Sequence, residues 1–129
     1  MSREIKYHYL VVRHNGHRFG RVFTLDEIEV GDANGWLKAN NVGEYHRREY
    51  TGLHDRAGRE IYEGDLIQSR NRDYMAEVYY DERTASFRGR VDGEMQFDKT
   101  MDLVMLSHLG QVVGNIHEQE VKRVNGGTE

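Results

Sequence analysis

The chain has 129 residues, a hydrophobic fraction of 37% and a formal net charge of −4. This length predicts one domain, residues 1–129, with a single modest core. The absence of cysteine excludes disulfides, a thiol nucleophile and a cysteine-based zinc site. Mild acidity argues against a general DNA-coating role, because such binding depends on neutralising phosphates. No apolar run reaches membrane-spanning length and no signal-peptide core is visible, which predicts a cytoplasmic protein without membrane association.

The first predicted element is a β-hairpin. Residues 7–12 and 19–23 are rich in β-forming side chains, and the Asn-Gly dipeptide at 15–16 is typical of two-residue hairpin loops. In such a loop His14 and His17 would face each other across the strands. A structural zinc site needs four ligands, so we interpret the two histidines as exposed hairpin ends.

A short helical insertion is expected around residues 24–41. Thr24 and Glu27 have the spacing of a capping box, and Gly31 ends the helix that it predicts. Trp36 lies in a second candidate helical turn. Residues 42–49 are polar, and we interpret them as a connection, so that residues 1–49 contain the hairpin and the short helix.

Residues 50–68 have the pattern turn, strand, turn, strand. Asp55 and Gly58 occupy the first and fourth positions of a predicted type I turn. Residues 60–62 form a short strand, and Gly64 provides the positive φ that a second sharp reversal needs. This unit is the part of the chain around which we expect the rest to be organised.

The letters of this unit resemble the YopX family of phage and prophage proteins, whose signature runs TGL-x-D-x-x-G-x-EIYEGD. The matching residues are Thr51, Gly52, Leu53, Asp55, Gly58, Glu60, Ile61, Tyr62, Glu63, Gly64 and Asp65. Residues 112–118 resemble the closing V-x-GNI-x-E segment of the family, matched by Val112, Gly114, Asn115, Ile116 and Glu118. His117 stands where the family commonly has Tyr. The resemblance implies a phage or prophage protein of a family with no established biochemical activity.

The second half of the chain has the alternation and turn spacing of a β-domain. Further strands are predicted at residues 75–80, 84–91, 103–106 and 111–116. We therefore expect a mainly β fold, a small and partly open antiparallel β-barrel for which an SH3-like arrangement is one example. Residues 50–118 would hold the signature and the barrel strands, and residues 119–129 would form a C-terminal tail.

Four carboxylates lie in or beside the two turns of the signature. Asp55, Glu60, Glu63 and Asp65 could form a metal cluster or an acid–base pair. The alternative is that they accept hydrogen bonds from the free backbone amides of the turns. We favour the alternative, because nothing in the segment supplies a nucleophile. Accordingly no catalytic, metal-binding or cofactor-binding residue is predicted.

A cluster of arginines and a tyrosine is the best candidate for ligand binding. It consists of Arg70, Arg72, Tyr79, Arg83, Arg88 and Arg90. Cationic and stacking groups on one strand face are typical of nucleic-acid platforms. Acidic residues alternate with these arginines, however, so a solvated face of ion pairs is the favoured interpretation.

Three functions follow from these patterns, in order of preference. The first is a non-enzymatic interaction or accessory module that forms a homo-oligomer and binds a phage or host protein, because the core is lean and no catalytic constellation is visible. The second is a nucleic-acid-binding β-barrel that uses the arginine face of residues 70–90. The third is a metal-dependent hydrolase built on the signature carboxylates.

Overall fold

A computed structural model gives the structure of residues 4–70, 74–91 and 100–117, without the side chains of Thr100 and Met101. Arg72, Glu118 and the predicted tail at 119–129 lie outside these residues. The strands are β1 (Lys6–Arg13), β2 (Arg18–Thr24), β3 (Val42–His54), β4 (Glu60–Tyr62), β5 (Asp65–Ser69), β6 (Met75–Asp81), β7 (Ser86–Val91), β8 (Thr100–Asp102) and β9 (Gly110–Asn115). The helices are α1 (Leu25–Glu29), α2 (Asp32–Ala39) and α3 (Leu103–Leu109).

The predicted fold class is confirmed. The described residues are mainly β: their strands form two antiparallel sheets, and their helices are few and short. The helical insertion consists of α1 and α2, within residues 24–41. By their contacts the residues separate into two units, Met1–Tyr50 and Thr51–Glu129. That residues 1–129 fold as a single domain remains a prediction.

In the first unit, β1 pairs antiparallel with β2 on one side and with β3 on the other. The loop between β1 and β2 differs from the predicted two-residue loop. The Arg13 amide donates to the His17 carbonyl at 2.8 Å, so three residues lie between the paired positions. Gly16 has a φ of +89°, as in a type I turn followed by a left-handed glycine. His14 therefore does not lie opposite His17.

The interpretation of residues 42–49 as a connection is wrong, because they belong to the 13-residue strand β3. Tyr45 pairs with Val11 of β1 and Arg47 pairs with Tyr9. The stretch is polar because residues 43–45 and 47 are exposed, so this part of the strand needs little apolar alternation. Its pairing partner is distant in sequence.

The helical insertion begins where the capping box places it. The Glu27 amide donates to the Thr24 hydroxyl at 3.3 Å, and the Thr24 amide donates to the Glu27 carboxylate at 2.9 Å. α1 ends before Gly31, whose φ is +92°. α2 then brings the Trp36 indole against Phe23, with ring centroids 5.5 Å apart, so the insertion covers the core of the first unit.

In the second unit, five strands form an antiparallel sheet in the order β8-β7-β6-β5-β9. One face of this sheet carries a core, whose fully buried side chains include Ile67, Val78 and Leu106. β7 begins two residues later than the predicted strand, because Ala85 lies in the turn with a φ of +52°. The end of β3 and β4 form a hairpin around the turn at residues 55–58.

The predicted strand at residues 103–106 is wrong, since these residues begin α3. The carboxylate of Asp102 caps the helix by accepting from the amides of Val104 at 2.8 Å and Met105 at 3.3 Å. The apolar run at residues 103–106 fits a buried strand as well as a helix by pattern alone. The cap favours the helix, and the spacing of three residues then directs both Leu103 and Leu106 to the core.

His8 and Arg48 form a pair across β1 and β3 of the first unit. The guanidinium of Arg48, which is 7% exposed, lies 3.0 Å through Nη2 and 3.3 Å through Nε from Nδ1 of His8. The imidazole can accept from Arg48 only while it is neutral. Burial of the ring, together with the charge of Arg48, lowers the pKa of His8 to about 4.

This pair makes a prediction for the pH dependence of stability. Because the unfolded pKa is 6.5 and the folded pKa is about 4, the unfolded chain binds the extra proton as the pH falls through this window. The contribution of neutral His8 to the free energy of unfolding should be complete above pH 6.5. The free energy of unfolding should fall by roughly 2–3 kcal/mol by pH 4.

Urea denaturation of the wild type and of His8→Asn across this pH range checks the prediction. The asparagine carbonyl keeps an acceptor for Arg48 but does not titrate. The stability difference between wild type and variant should therefore change with pH. Parallel pH profiles of the two proteins would contradict it.

Candidate functional site

Asp55 is a buried carboxylate of the signature, only 6% exposed. Its Oδ1 accepts from the amides of Ala57 at 2.9 Å and Arg59 at 2.8 Å, both in its own turn. Its Oδ2 accepts from the amide of Val112 at 2.8 Å, 57 residues along the chain. The carboxylate therefore joins the signature turn to the closing segment.

Further contacts fix the same turn against β9. The Arg56 amide donates to the Gly110 carbonyl at 3.0 Å. The Arg59 guanidinium reaches the Val112 carbonyl at 3.4 Å. Gly58 closes the turn with an amide bond to the Asp55 carbonyl at 3.0 Å and a φ of +89°. The outer side of β9 thus contacts the turn, while its inner side pairs with β5.

The second turn of the signature makes a second link to the closing segment. Gly64 has a φ of +87°, and its amide donates to the Val78 carbonyl at 2.8 Å. Its carbonyl accepts from the amide of Ile116 at 2.9 Å. Asp65 is buried, and its Oδ2 accepts from the Tyr62 amide at 2.7 Å. The two family motifs therefore meet at both turns.

The remaining signature residues build the hairpin between these contacts. The Thr51 hydroxyl donates to the Ile61 carbonyl at 2.8 Å and accepts from the Leu53 amide at 3.2 Å. Gly52 has a φ of +87°, a requirement that the sequence reading missed. The Tyr62 hydroxyl lies 3.1 Å from the Glu60 carboxylate. Glu63 is half-buried beside Gly64, Gly114 pairs with Leu66, and the buried Asn115 pairs with Asp65.

The signature carboxylates do not form a metal cage. Among residues 4–70, 74–91 and 100–117, no group of three or more His, Cys, Asp or Glu side chains is arranged to hold a metal ion. Asp55 and Asp65 direct oxygens at backbone amides inside the protein. The two carboxylates therefore act as hydrogen-bond acceptors that stabilise the turns and the strands beside them.

The arginine cluster predicted from the sequence is brought together in part. Register places Arg88 opposite Tyr79 and Arg90 opposite Glu77, so the two arginines and the tyrosine share one sheet face. The Arg90 guanidinium lies 4.1 Å from the centre of the Tyr79 ring. Asp102 lies opposite Arg88 on the other side. Each of the two arginines therefore has a carboxylate residue beside it in the register.

Two other described members, Arg70 and Arg83, lie in turns outside β6 and β7. Arg83 is in the turn before β7, 81% exposed, with its guanidinium 3.7 Å from the Asp81 carboxylate. Arg70 follows the end of β5, where its amide donates to the Leu109 carbonyl at 3.0 Å. Arg72 lies outside the described residues. Of the five described members of the cluster, three share one sheet face.

A second group of aromatic and cationic side chains lies on one face of the sheet in the first unit, and sequence reasoning missed it. We name Tyr7, Tyr45 and Arg47 the tyrosine–arginine surface. The Arg47 guanidinium lies 4.7 Å from the centre of the Tyr7 ring. The Tyr45 ring stacks on the buried Tyr9 ring at 5.7 Å, with planes 17° apart. A hydrogen bond with Tyr9 raises the pKa of Arg47 above its usual value.

The signal for this surface is present in the sequence as alternation at positions 45 and 47. The polar residues around these two positions favour a connection over a strand, so the alternation alone does not reveal the surface. Register then brings Tyr7 and Tyr9 from β1 beside them. The tyrosine–arginine surface is recognisable only once the pairing of β1 with β3 is known.

The contacts of Asp55 predict that even an isosteric change is costly. In Asp55→Asn one oxygen becomes an NH₂ group, so at least one of the three amide donors faces another donor in a buried site. We expect a loss of roughly 2–4 kcal/mol in the free energy of unfolding, measured by urea denaturation.

Asp102→Asn is the matched control for this substitution. Asp102 also accepts from two backbone amides, but both bind the same oxygen and the residue is exposed. Asparagine caps helices as well as aspartate does, so stability should change by only a few tenths of a kcal/mol. Equal losses for the two variants would refute the role of the Asp55–Val112 bond.

Comparison with known proteins places these motifs in a family. Comparison with curated proteins gives no match. No helix among the described residues is long and apolar enough to cross a membrane. The family model described as YopX protein matches residues 20–121, which include both turns and the strand that they contact. The chain belongs to the YopX family.

Proposed function

We propose that this chain is a non-enzymatic interaction module, encoded by phage or prophage, that acts in the cytoplasm of a bacterial host by binding a phage or host protein. The observation that carries the proposal is the environment of Asp55. Its oxygens are directed at three backbone amides, two in its own turn and one in β9. This signature carboxylate therefore stabilises the fold, which supports a role for the protein in binding rather than in catalysis.

A hydrolase built on the signature is a weaker candidate. General acid–base catalysis needs a carboxylate that can reach a substrate proton. Asp55 and Asp65 are buried, and oxygens of both accept from backbone amides. Glu60 and Glu63 are half-buried, and Glu63, which lies in the second turn, can test the catalytic alternative.

The proposal predicts that the carboxylates of the second turn can lose their charge without loss of biological activity. Glu63→Gln and Asp65→Asn should each cost on the order of 1 kcal/mol in stability, because shape and most acceptor capacity are kept. Complementation of a deletion phage or lysogen, below the melting temperature of each variant, should match the wild type. A folded Glu63→Gln protein without activity in cells would favour the hydrolase.

Self-association is part of the proposal, and the surface of α3 supports it. Val104, Met105 and Leu109 are each between 44% and 55% exposed, although all three are large apolar residues. Exposed apolar groups that cluster on one element are typical of protein–protein contact sites. A protein whose sequence is only 37% hydrophobic gains stability by burying such groups against a second copy.

We predict an oligomer at micromolar concentration, measured by size exclusion with light scattering. Met105→Glu should reduce the mass toward 15.1 kDa, because it places a charge in the contact. Val30→Glu is the control, since Val30 is an exposed apolar residue of the first unit, outside α3. A monomer of 15.1 kDa for the wild type at high concentration would refute self-association.

A nucleic-acid-binding face formed by Tyr79, Arg88 and Arg90 is the second candidate function. It is favoured by the stacking of Arg90 on Tyr79 at 4.1 Å. The neighbouring Glu77 and Asp102 weaken it, because phosphates would be repelled at the same positions. Tight oligonucleotide binding at physiological salt, abolished by Arg88→Ala with Arg90→Ala, would make this the leading function.

A further inference from the structure

The tyrosine–arginine surface exposes a stacking ring beside a fixed cation. Tyr45 is 49% exposed, although one face of its ring rests on Tyr9. Arg47, two residues along β3, is exposed as well. The Arg47 guanidinium stacks on the Tyr7 ring, 4.7 Å from the ring centre. A flat aromatic group and a positive charge are thereby presented on the same sheet face, two positions apart on one strand.

Both groups are held in place before any ligand arrives. The Tyr45 ring is restrained by its stack on a buried tyrosine, and Arg47 by the Tyr7 ring and the Tyr9 hydroxyl. Fewer side-chain rotamers remain to be ordered on binding, which favours affinity. Among the paired residues of β1 and β3 on this face, Glu49 is the carboxylate. It follows Arg47 along β3, on the side away from Tyr45.

We propose that the tyrosine–arginine surface binds single-stranded nucleic acid, with a base stacked on Tyr45 and a neighbouring phosphate paired with Arg47. Stacking on aromatic side chains beside cationic groups is the mode by which proteins hold unpaired bases without sequence preference. A duplex keeps its bases stacked on each other, so it offers Tyr45 no free base. The proposal goes beyond the interaction module proposed above, because it adds a nucleic-acid ligand to a chain expected to bind protein.

The surface is small, and its size sets the expected behaviour. Arg47 can pair with one phosphate, so binding should weaken with salt along a shallow slope of about −0.7 per phosphate neutralised. The contact spans a few nucleotides and carries little sequence preference. Single-stranded DNA and RNA should bind comparably, since neither stacking nor the phosphate contact reads the 2′-hydroxyl.

The test is fluorescence anisotropy of labelled oligothymidylate and oligouridylate at low salt, with the full chain. Tyr45→Leu keeps an apolar side chain but removes the ring, and should weaken binding about tenfold. Tyr45→Phe should bind as the wild type does. Arg47→Gln should weaken binding and flatten the salt dependence. Tyr80→Leu and Arg83→Gln change an exposed tyrosine and an exposed arginine of the second unit, and should have no effect.

Several results would overturn the proposal. These are absence of binding by the wild type, preference for duplex, equal losses for Tyr45→Leu and Tyr80→Leu, or losses confined to Arg88→Gln with Arg90→Gln. Circular dichroism identifies a variant that fails to fold. In that case, photocrosslinking of the wild type to oligouridylate decides, since the crosslinked peptide must contain Tyr45 or Tyr7. The mass of the protein in solution tests self-association separately, so either proposal can fail alone.

Discussion

A buried carboxylate must receive hydrogen bonds, and this requirement organises the second unit. Moving an ionised group out of water costs several kcal/mol unless its oxygens are paired. Asp55 meets the condition only when its own turn is closed and when Val112 lies beside it. We therefore expect the turn, its hairpin and the register of β9 to form cooperatively. This constraint joins residues 55 and 112, which are far apart in the sequence.

Two glycines allow the backbone conformations of the signature turns. Gly58 and Gly64 both have positive φ, which residues with a Cβ adopt with difficulty. No heavy atom lies within 4 Å of the place where a Cβ would stand on Gly58, so its constraint is the backbone conformation alone. Gly64 also contacts two partners through its amide and carbonyl. The spacing of the signature reflects these local geometries.

Local chemistry made much of the fold predictable from the sequence. The capping box of Thr24, the turn at Asp55 and the strand at residues 60–62 depend on neighbours within a few positions. Two features depend on distant partners, since β3 pairs with β1 and the Val112 contact of Asp55 spans 57 residues. The error at α3 is local, because the short apolar run at residues 103–106 also fits a strand and outweighed the cap of Asp102. The tyrosine–arginine surface needed the pairing of β1 with β3, which the alternation of one strand does not specify.

The contact of the signature turn with β9 has a consequence for how the protein behaves at high concentration. β9 is an outer strand of its sheet, and outer strands commonly recruit strands from other molecules into fibrous aggregates. Here the amide and carbonyl of Val112 and the carbonyl of Gly110 are already bonded to residues 55–59. An intruding chain finds no ladder of free groups along them. The first turn of the signature thus also blocks an outer strand edge against amyloid-like pairing.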